Sequence, residues 1–280
     1  MSTQARAQAA TEQNGTTQND DEKLERDYII DYTSLGMLVN FRSLVVLLRA
    51  ARESKDELER KSISVSAWQN LLSSYEDFAM LLWAVLRRKD GKHLHHGLGF
   101  EKSADQGSTN VPSLLKRYDS PRQFLNTLGF GSLSLEALQG FGFDIPDEQT
   151  FSDYYKDFAI AVREIGKLQS DYNEFKNRLK HGKAIISEGQ NEITFVTWND
   201  KVQPAGWDRT HIETTIEKIE VAVKQCAKIY IKSLDFLSSF MMHYHPEHAK
   251  AFNRLTVERF KWCVQKVKEL GLESEGITNN

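Results

Sequence analysis

Two stretches repeat an apolar residue every third or fourth position along nearly their whole length. This period constrains the chain more than any other feature of it. From Trp68, the residues Leu71, Leu72, Tyr75, Phe78, Ala79, Leu82 and Val85 return to one side of a helix. From Ile212, the set Ile216, Ile219, Val223, Ala227, Tyr230, Ile231, Leu234 and Leu237 does the same. A stripe this broad faces a core. A strand alternates its faces every second residue and could not gather these side chains together. With only 5 prolines and 16 glycines in 280 residues, little interrupts such runs. The pattern predicts an all-α multi-helix bundle.

Further elements follow from caps and breakers. Residues from about Leu24 to Ala51 read as one helix, or as two joined near Gly36. Ser54 with Glu57 three residues on is a capping-box signal for the helix through Leu58, with a weak point or kink at Ser62 to Ser66. Arg87, Arg88, Lys89 and Gly91 mark its end. Glycines 129, 131, 140 and 142 punctuate 112–140, which reads as an inserted group of short helices. Asp147 to Ser170 is expected to be a long helix. Residues 184–198 have the β-branched pattern of a small β-hairpin, with Pro204 and Gly206 closing it off. Thr210 to Tyr244 is expected to be a long helix, and Pro246 to open the last one, running to about Leu270. The expected core comprises the helices near 57–88, 147–170, 210–243 and 248–270. Residues 1–21, polar and without apolar period, read as a disordered tail. Residues 22–271 read as a single helical domain, and 272–280 as a frayed end.

The charge balance narrows the function classes. With 36 basic against 39 acidic residues the net charge is −3, so any contact with nucleic acid must be a local patch. Cys226 and Cys263, far apart, imply neither a zinc site nor a disulfide framework and read as buried thiols. The N-terminus lacks the apolar segment of a secretory signal. The apolar helix around Ile229 to Tyr244 contains Lys232, Asp235 and serines, short of the roughly 20 apolar residues of a span. These features predict a soluble cytoplasmic protein without a membrane partner.

The stretch from Phe175 to Gly182 is the richest in chemistry. It places Lys176, Asn177, Arg178, Lys180 and His181 in one short run, with Lys183 beyond. On a helix, Asn177 and His181 share a face, whereas Lys176 and His181, five apart, diverge. An imidazole can take or give a proton near neutrality. A neighbouring cation can steady a charged phosphorane.

This arrangement resembles the motif of the HEPN superfamily, helical-bundle domains of prokaryotic defence, toxin and RNA-processing systems. Their motif is an arginine, usually followed by a polar residue, then a histidine after four to six intervening positions. Lys176 stands where the arginine would be, Asn177 where the polar residue would be, and His181 where the histidine would be. The run from Asn177 to Gly182 also looks like bacterial proteins related to this group. The resemblance covers about residues 147–270. It implies RNA or a nucleotide as partner, a homodimer, and metal-independent cleavage of RNA without a cofactor. His181 would be acid or base, Lys176 would steady the phosphate, and Asn177 would orient substrate or His181. Arg178, Lys180 and Lys183 would bind the nucleic acid. The lysine departs from the pattern, because arginine offers phosphate a planar fork and lysine does not. The rival class is a non-catalytic helical interaction or structural protein with a degenerate motif.

Two other clusters carry ligand-type side chains. Arg88 and His93 have the literal four-residue spacing, but Gly91 interrupts the helix between them. His93, His95 and His96 could bind Zn²⁺ or Ni²⁺ if an acidic ligand came from Glu101 or Asp105; the bland reading is a basic surface loop. His243, His245, Glu247 and His248 lie at a helix–helix turn, where capping serves as well as a metal. No metal site is therefore expected.

Overall fold

A computed structural model describes residues 20–36, 38–88, 90–98, 135–140, 146–150, 152–153, 156, 185–186, 191–199 and 206–272. Its frame is a mostly helical, multi-helix bundle. Helix α1 covers residues 20–31. A π-helical turn, Tyr32–Gly36, leads into α2, Leu38–Glu53. Helix α3 is Glu57–Arg88 and α4 is the short Leu94–Leu98. Helix α5 is Leu135–Gly140, α6 is Ile216–Tyr244, and α7 is Pro246–Glu269.

Helix α6 is the centre. It packs against α2, α3 and α7, and it is buried along most of its length, from Ile219 through Met242. A helix apolar on nearly every side belongs in a core. Its buried serines stay satisfied within the bundle. Ser233 donates to the Ile229 carbonyl at 2.9 Å, and Ser238 donates to Thr256 Oγ1 of α7 at 3.2 Å. Cys226 and Cys263 are buried and free. Burial pushes the Cys226 thiol up to about 12 and raises that of Cys263 as well.

The structure places α2 in the core, which the sequence reading left out of it. Leu38, Phe41, Leu44 and Leu48 are fully buried, each worth about 1.5–3 kcal/mol in removed apolar surface. Arg52 then fastens the end of α2, donating to the Leu270 carbonyl at 2.7 Å and to Glu220 at 2.5 Å. Of the expected 147–170 helix, residues 148–150, 152–153 and 156 are helical, and Asp147 caps them by accepting from the Thr150 N–H at 2.7 Å. The rest lies outside the described residues, as does 112–134 of the expected short-helix insertion.

Several expected boundaries move. Helix α3 runs without a break through Ser62 to Ser66. Ser66 satisfies its hydroxyl on the Ser62 carbonyl at 3.1 Å, a bond that weakens a helix slightly without ending it. The cap of α3 is Asp56, whose Oδ1 accepts from Leu58 N at 2.7 Å and Glu59 N at 3.2 Å, while Ser54 bonds Asp56 and Glu59 from outside. Asp20 and Asp21 are helical, so the N-terminal helix begins inside the expected tail. Leu272 is buried, its N–H bonded to the Val267 carbonyl at 3.2 Å. This bond and that of Gly271 N to Lys268 O close α7 in a Schellman pattern and pull Leu272 out of the expected frayed end.

The largest correction is at 206–213. In place of an isolated two-stranded hairpin there is a three-stranded antiparallel sheet in the order β1–β2–β3, with β1 Ile185–Ile186, β2 Glu192–Asn199 and β3 Gly206–Glu213. Strands β2 and β3 pair from Glu192 with Glu213 to Asn199 with Gly206. Helix α6 therefore starts six residues later than expected. Thr215 caps it by accepting from Lys218 N at 3.4 Å, and Thr214 N bonds the Asn191 carbonyl at 2.8 Å, tying sheet to helix. Ile212 belongs to the strand; the helical period proper begins at Ile216.

Residues 20–53 form the one helical run among the described residues that is long and apolar enough to cross a membrane, by length and composition only. It is not the apolar helix around 229–244, which is buried in the core. One side of the run, Ile29, Leu38, Phe41, Leu44 and Leu48, is the core face. Only 35% of its most apolar window is buried, so an apolar outer side remains.

The π turn is locked by Tyr32 and Gly36. A β-carbon on Gly36 would lie 2.6 Å from Cδ2 of the Tyr32 ring, and the Tyr230 hydroxyl donates to the Thr33 carbonyl at 3.2 Å. Gly36→Ala would gain about 1 kcal/mol of helix propensity against an overpacking cost of about 1–3 kcal/mol. Chemical denaturation is expected to show a net loss of about 1 kcal/mol; a more stable variant would contradict this packing.

Candidate functional site

Polar side chains converge where α1, the end of α3, the following turn and the α6–α7 junction meet. Each arrives for a local reason. Glu25 lies on the face of α1 that also carries the buried Ile29. Arg88 is the last residue of α3. Gly91, at φ +78°, turns the chain back so that His93 and Leu94 approach α1. His245 precedes Pro246, a position that disfavours helical backbone, so α6 ends there with His245 at φ −136°.

Glu25 is fully buried and binds four donors. Its Oε1 accepts from the Leu94 N–H at 2.5 Å. Its Oε2 faces Arg88 Nε at 3.2 Å, His93 Nδ1 at 3.3 Å and His245 Nε2 at 3.1 Å. A carboxylate only accepts, so the ring nitrogen of each histidine facing it carries the proton. Burial alone would raise this carboxyl, but the bonds from His245 and Leu94, with the Arg88 charge and His93, hold it at about 2. The Arg88 guanidinium also lies 4.8 Å from the centre of the Tyr244 ring.

This arrangement accounts for the literal Arg-x4-His pair. Arg88 and His93 both aim at Glu25, inside the protein. The histidines at 243–248 do not converge either. His245 serves Glu25, His248 Nε2 accepts from Arg26 at 2.6 Å, and His243 stands edge-on to Tyr244. Burial, with the Arg88 charge, lowers the His243 pKa.

One group among the described residues has the spacing of a metal site: Asp21, His95 and His96, whose ligand atoms all lie within 4.8 Å of one another. Asp21 brings a carboxylate from 74 residues away, which no local pattern could have indicated; Glu101 and Asp105 lie outside the described residues. Burial, then His96 nearby, lowers the His95 pKa, against the opposing pull of Glu25 and Asp21. Lys176, Asn177, His181, Arg178, Lys180 and Lys183 lie outside the described residues.

A separate small pocket lies beside α3 and α6. A cavity of about 10 Å³ lies between Tyr32, Ser74, Asp77, Cys226, Tyr230 and Ser233, about the size of one water. Asn40 donates to Asp77 at 2.8 Å beside it.

Comparison of the chain with protein-family models, curated proteins and solved structures finds no match. Architecture and side-chain geometry therefore carry the functional reading.

Glu25→Gln would remove the charge that Arg88 is bonded to inside the protein, and is expected to cost about 3–5 kcal/mol. The acid dependence has a definite sign. The carboxyl is harder to protonate folded than unfolded, so its stabilisation is complete above its ordinary value of 4.5 and lost as pH falls toward about 2. Urea melts of wild type and Glu25→Gln across that range should converge at the acid end. A gap that stays constant would argue against the arrangement.

Proposed function

We propose that this chain is a non-catalytic helical interaction protein that self-associates through the outer face of α1 and α2. The observation that carries this reading is the apolar stripe left outside the core. Leu24, Leu35, Val39 and Val46 are all about half exposed or more, with Leu35 at 61% and Val46 at 63%. A spacing of seven puts Val39 and Val46 on one side of α2, and Leu35 is exposed on the π turn that precedes it. The opposite side is spent on the core.

A membrane span through 20–53 would have to expose Ile29, Leu38, Phe41 and Leu48 by dismantling the bundle. Lateral docking leaves that packing in place. A second copy is the simplest partner, because a self-complementary patch closes a two-fold dimer. Helix α6 is too deeply buried to serve as the dimer face. A cytoplasmic location and the short-helix insertion at 112–140 accompany this reading as parts of the proposal. RNA handling through Lys176, Asn177 and His181 rests on the sequence resemblance alone.

Light scattering on the tag-free chain at micromolar concentration is expected to give twice the monomer mass. Val39→Glu with Val46→Glu should give a monomer with unchanged circular dichroism. A monomeric wild type, or a double variant that remains dimeric, would overturn the docking face. Incubation of wild type and His181→Ala with mixed RNA in EDTA separates the classes. The interaction reading expects no cleavage above blank from either, whereas cleavage lost in His181→Ala would install the ribonuclease.

A further inference from the structure

We propose that Asp21, His95 and His96 form a binding site for a divalent transition-metal ion of the zinc type, which clips the start of α1 to the short helix α4. The inference goes beyond the docking face and is independent of it. Two imidazoles and a carboxylate are a donor set suited to zinc and its neighbours; magnesium and calcium prefer sites built from oxygen alone.

The geometry is close to a closed site. The three donor atoms lie within 4.8 Å of one another. Around a tetrahedral ion with bonds of about 2.0–2.1 Å, donors sit about 3.4 Å apart. Closing the set takes an inward shift of at most about 1.4 Å, within reach of a side-chain adjustment at the ends of α1 and α4. The rings of His95 and His96 already lie 4.1 Å apart, centre to centre.

A second, independent observation comes from His95 itself. Both its ring nitrogens are buried, and neither has a hydrogen-bond partner among the described residues. A buried polar atom without a partner costs about 1–3 kcal/mol. A metal on one of these nitrogens would give it a partner and remove half of that deficit.

The surroundings hold the ligands where the ion needs them. His93 is anchored on Glu25, and the His96 N–H bonds the His93 carbonyl at 3.0 Å, so the histidine turn is fixed from within. Asp21 is one helical turn from Glu25 on α1, so the contact that seats Glu25 also seats Asp21. Three protein ligands leave a fourth position for water or for a donor from a partner.

Calorimetry tests the site directly. The full chain, free of any histidine tag and stripped with EDTA, is titrated with zinc chloride, then compared with Asp21→Asn, His96→Gln and the control pair His243→Gln with His248→Gln. Wild type and control should take up one ion in the micromolar range or tighter. Asp21→Asn and His96→Gln should bind about 10-fold more weakly or worse. Thermal melts should rise with zinc in wild type and control only, and excess magnesium should leave the zinc bound. Both ligand variants change residues at the rim, where folding is least at risk, and their melts without metal verify it. The site is overturned if wild type takes up no zinc at micromolar concentration. It is overturned equally if uptake survives in both ligand variants, if it is lost in the control pair, or if magnesium displaces the ion.

Discussion

A carboxylate removed from water must find donors for its lone pairs or give up its charge. Glu25 keeps its charge by binding four donors from three separate parts of the chain. The four donors are delivered by three breaks in the helical pattern: the end of α3 at Arg88, the glycine turn before His93 and Leu94, and the proline that stops α6 at His245. The carboxylate in turn fixes how far α1 slides and rotates on the bundle. Apolar packing of Ile29 alone would tolerate a shifted register; four directed bonds to one carboxylate would not. The account of the N-terminal helix, including its outer face and Asp21, follows from that anchor.

The order of construction runs from periodicity to polarity. Long apolar stripes bring α2, α3, α6 and α7 together, and α6 is enclosed because it is apolar on most sides. Polar groups trapped by that enclosure are then satisfied locally, as with Ser233 on the Ile229 carbonyl, or across the fold, as with Ser238 on Thr256 Oγ1 of α7. The exposed stripe from Leu24 to Val46 is the exception, since its helix has apolar residues on two sides and the core takes only one.

The main helices were legible because their signals are local. The α3 stripe from Trp68 to Val85, the stop at Gly91 and the start at Pro246 all depend on neighbours within a few residues. The start of α6 was not, because Ile212 and Ile216 are four apart and fit a helix as well as the end of a strand followed by a cap. What decides it is the pairing of 206–213 with β2, a contact between segments. Asp56 took the cap from Ser54 for a nearer reason: both residue types cap well, and spacing alone does not choose. The polar centre was harder still. Arg88, His93 and His245 could each be singled out as unusual, but the sequence showed no sign that Glu25 joins them, since one glutamate on an amphipathic helix looks like any other. Asp21 was hidden in the same way, inside what read as the tail.

The ionisation of Glu25 tests this account most directly. Carbon-detected NMR on protein labelled at the glutamate side chain would follow its carboxyl carbon through an acid titration. The account predicts a resonance that stays ionised below the ordinary glutamate value of 4.5 and titrates only near 2, together with loss of the fold. A Glu25 carboxyl that titrates at 4.5 or above, with the fold intact, would contradict it.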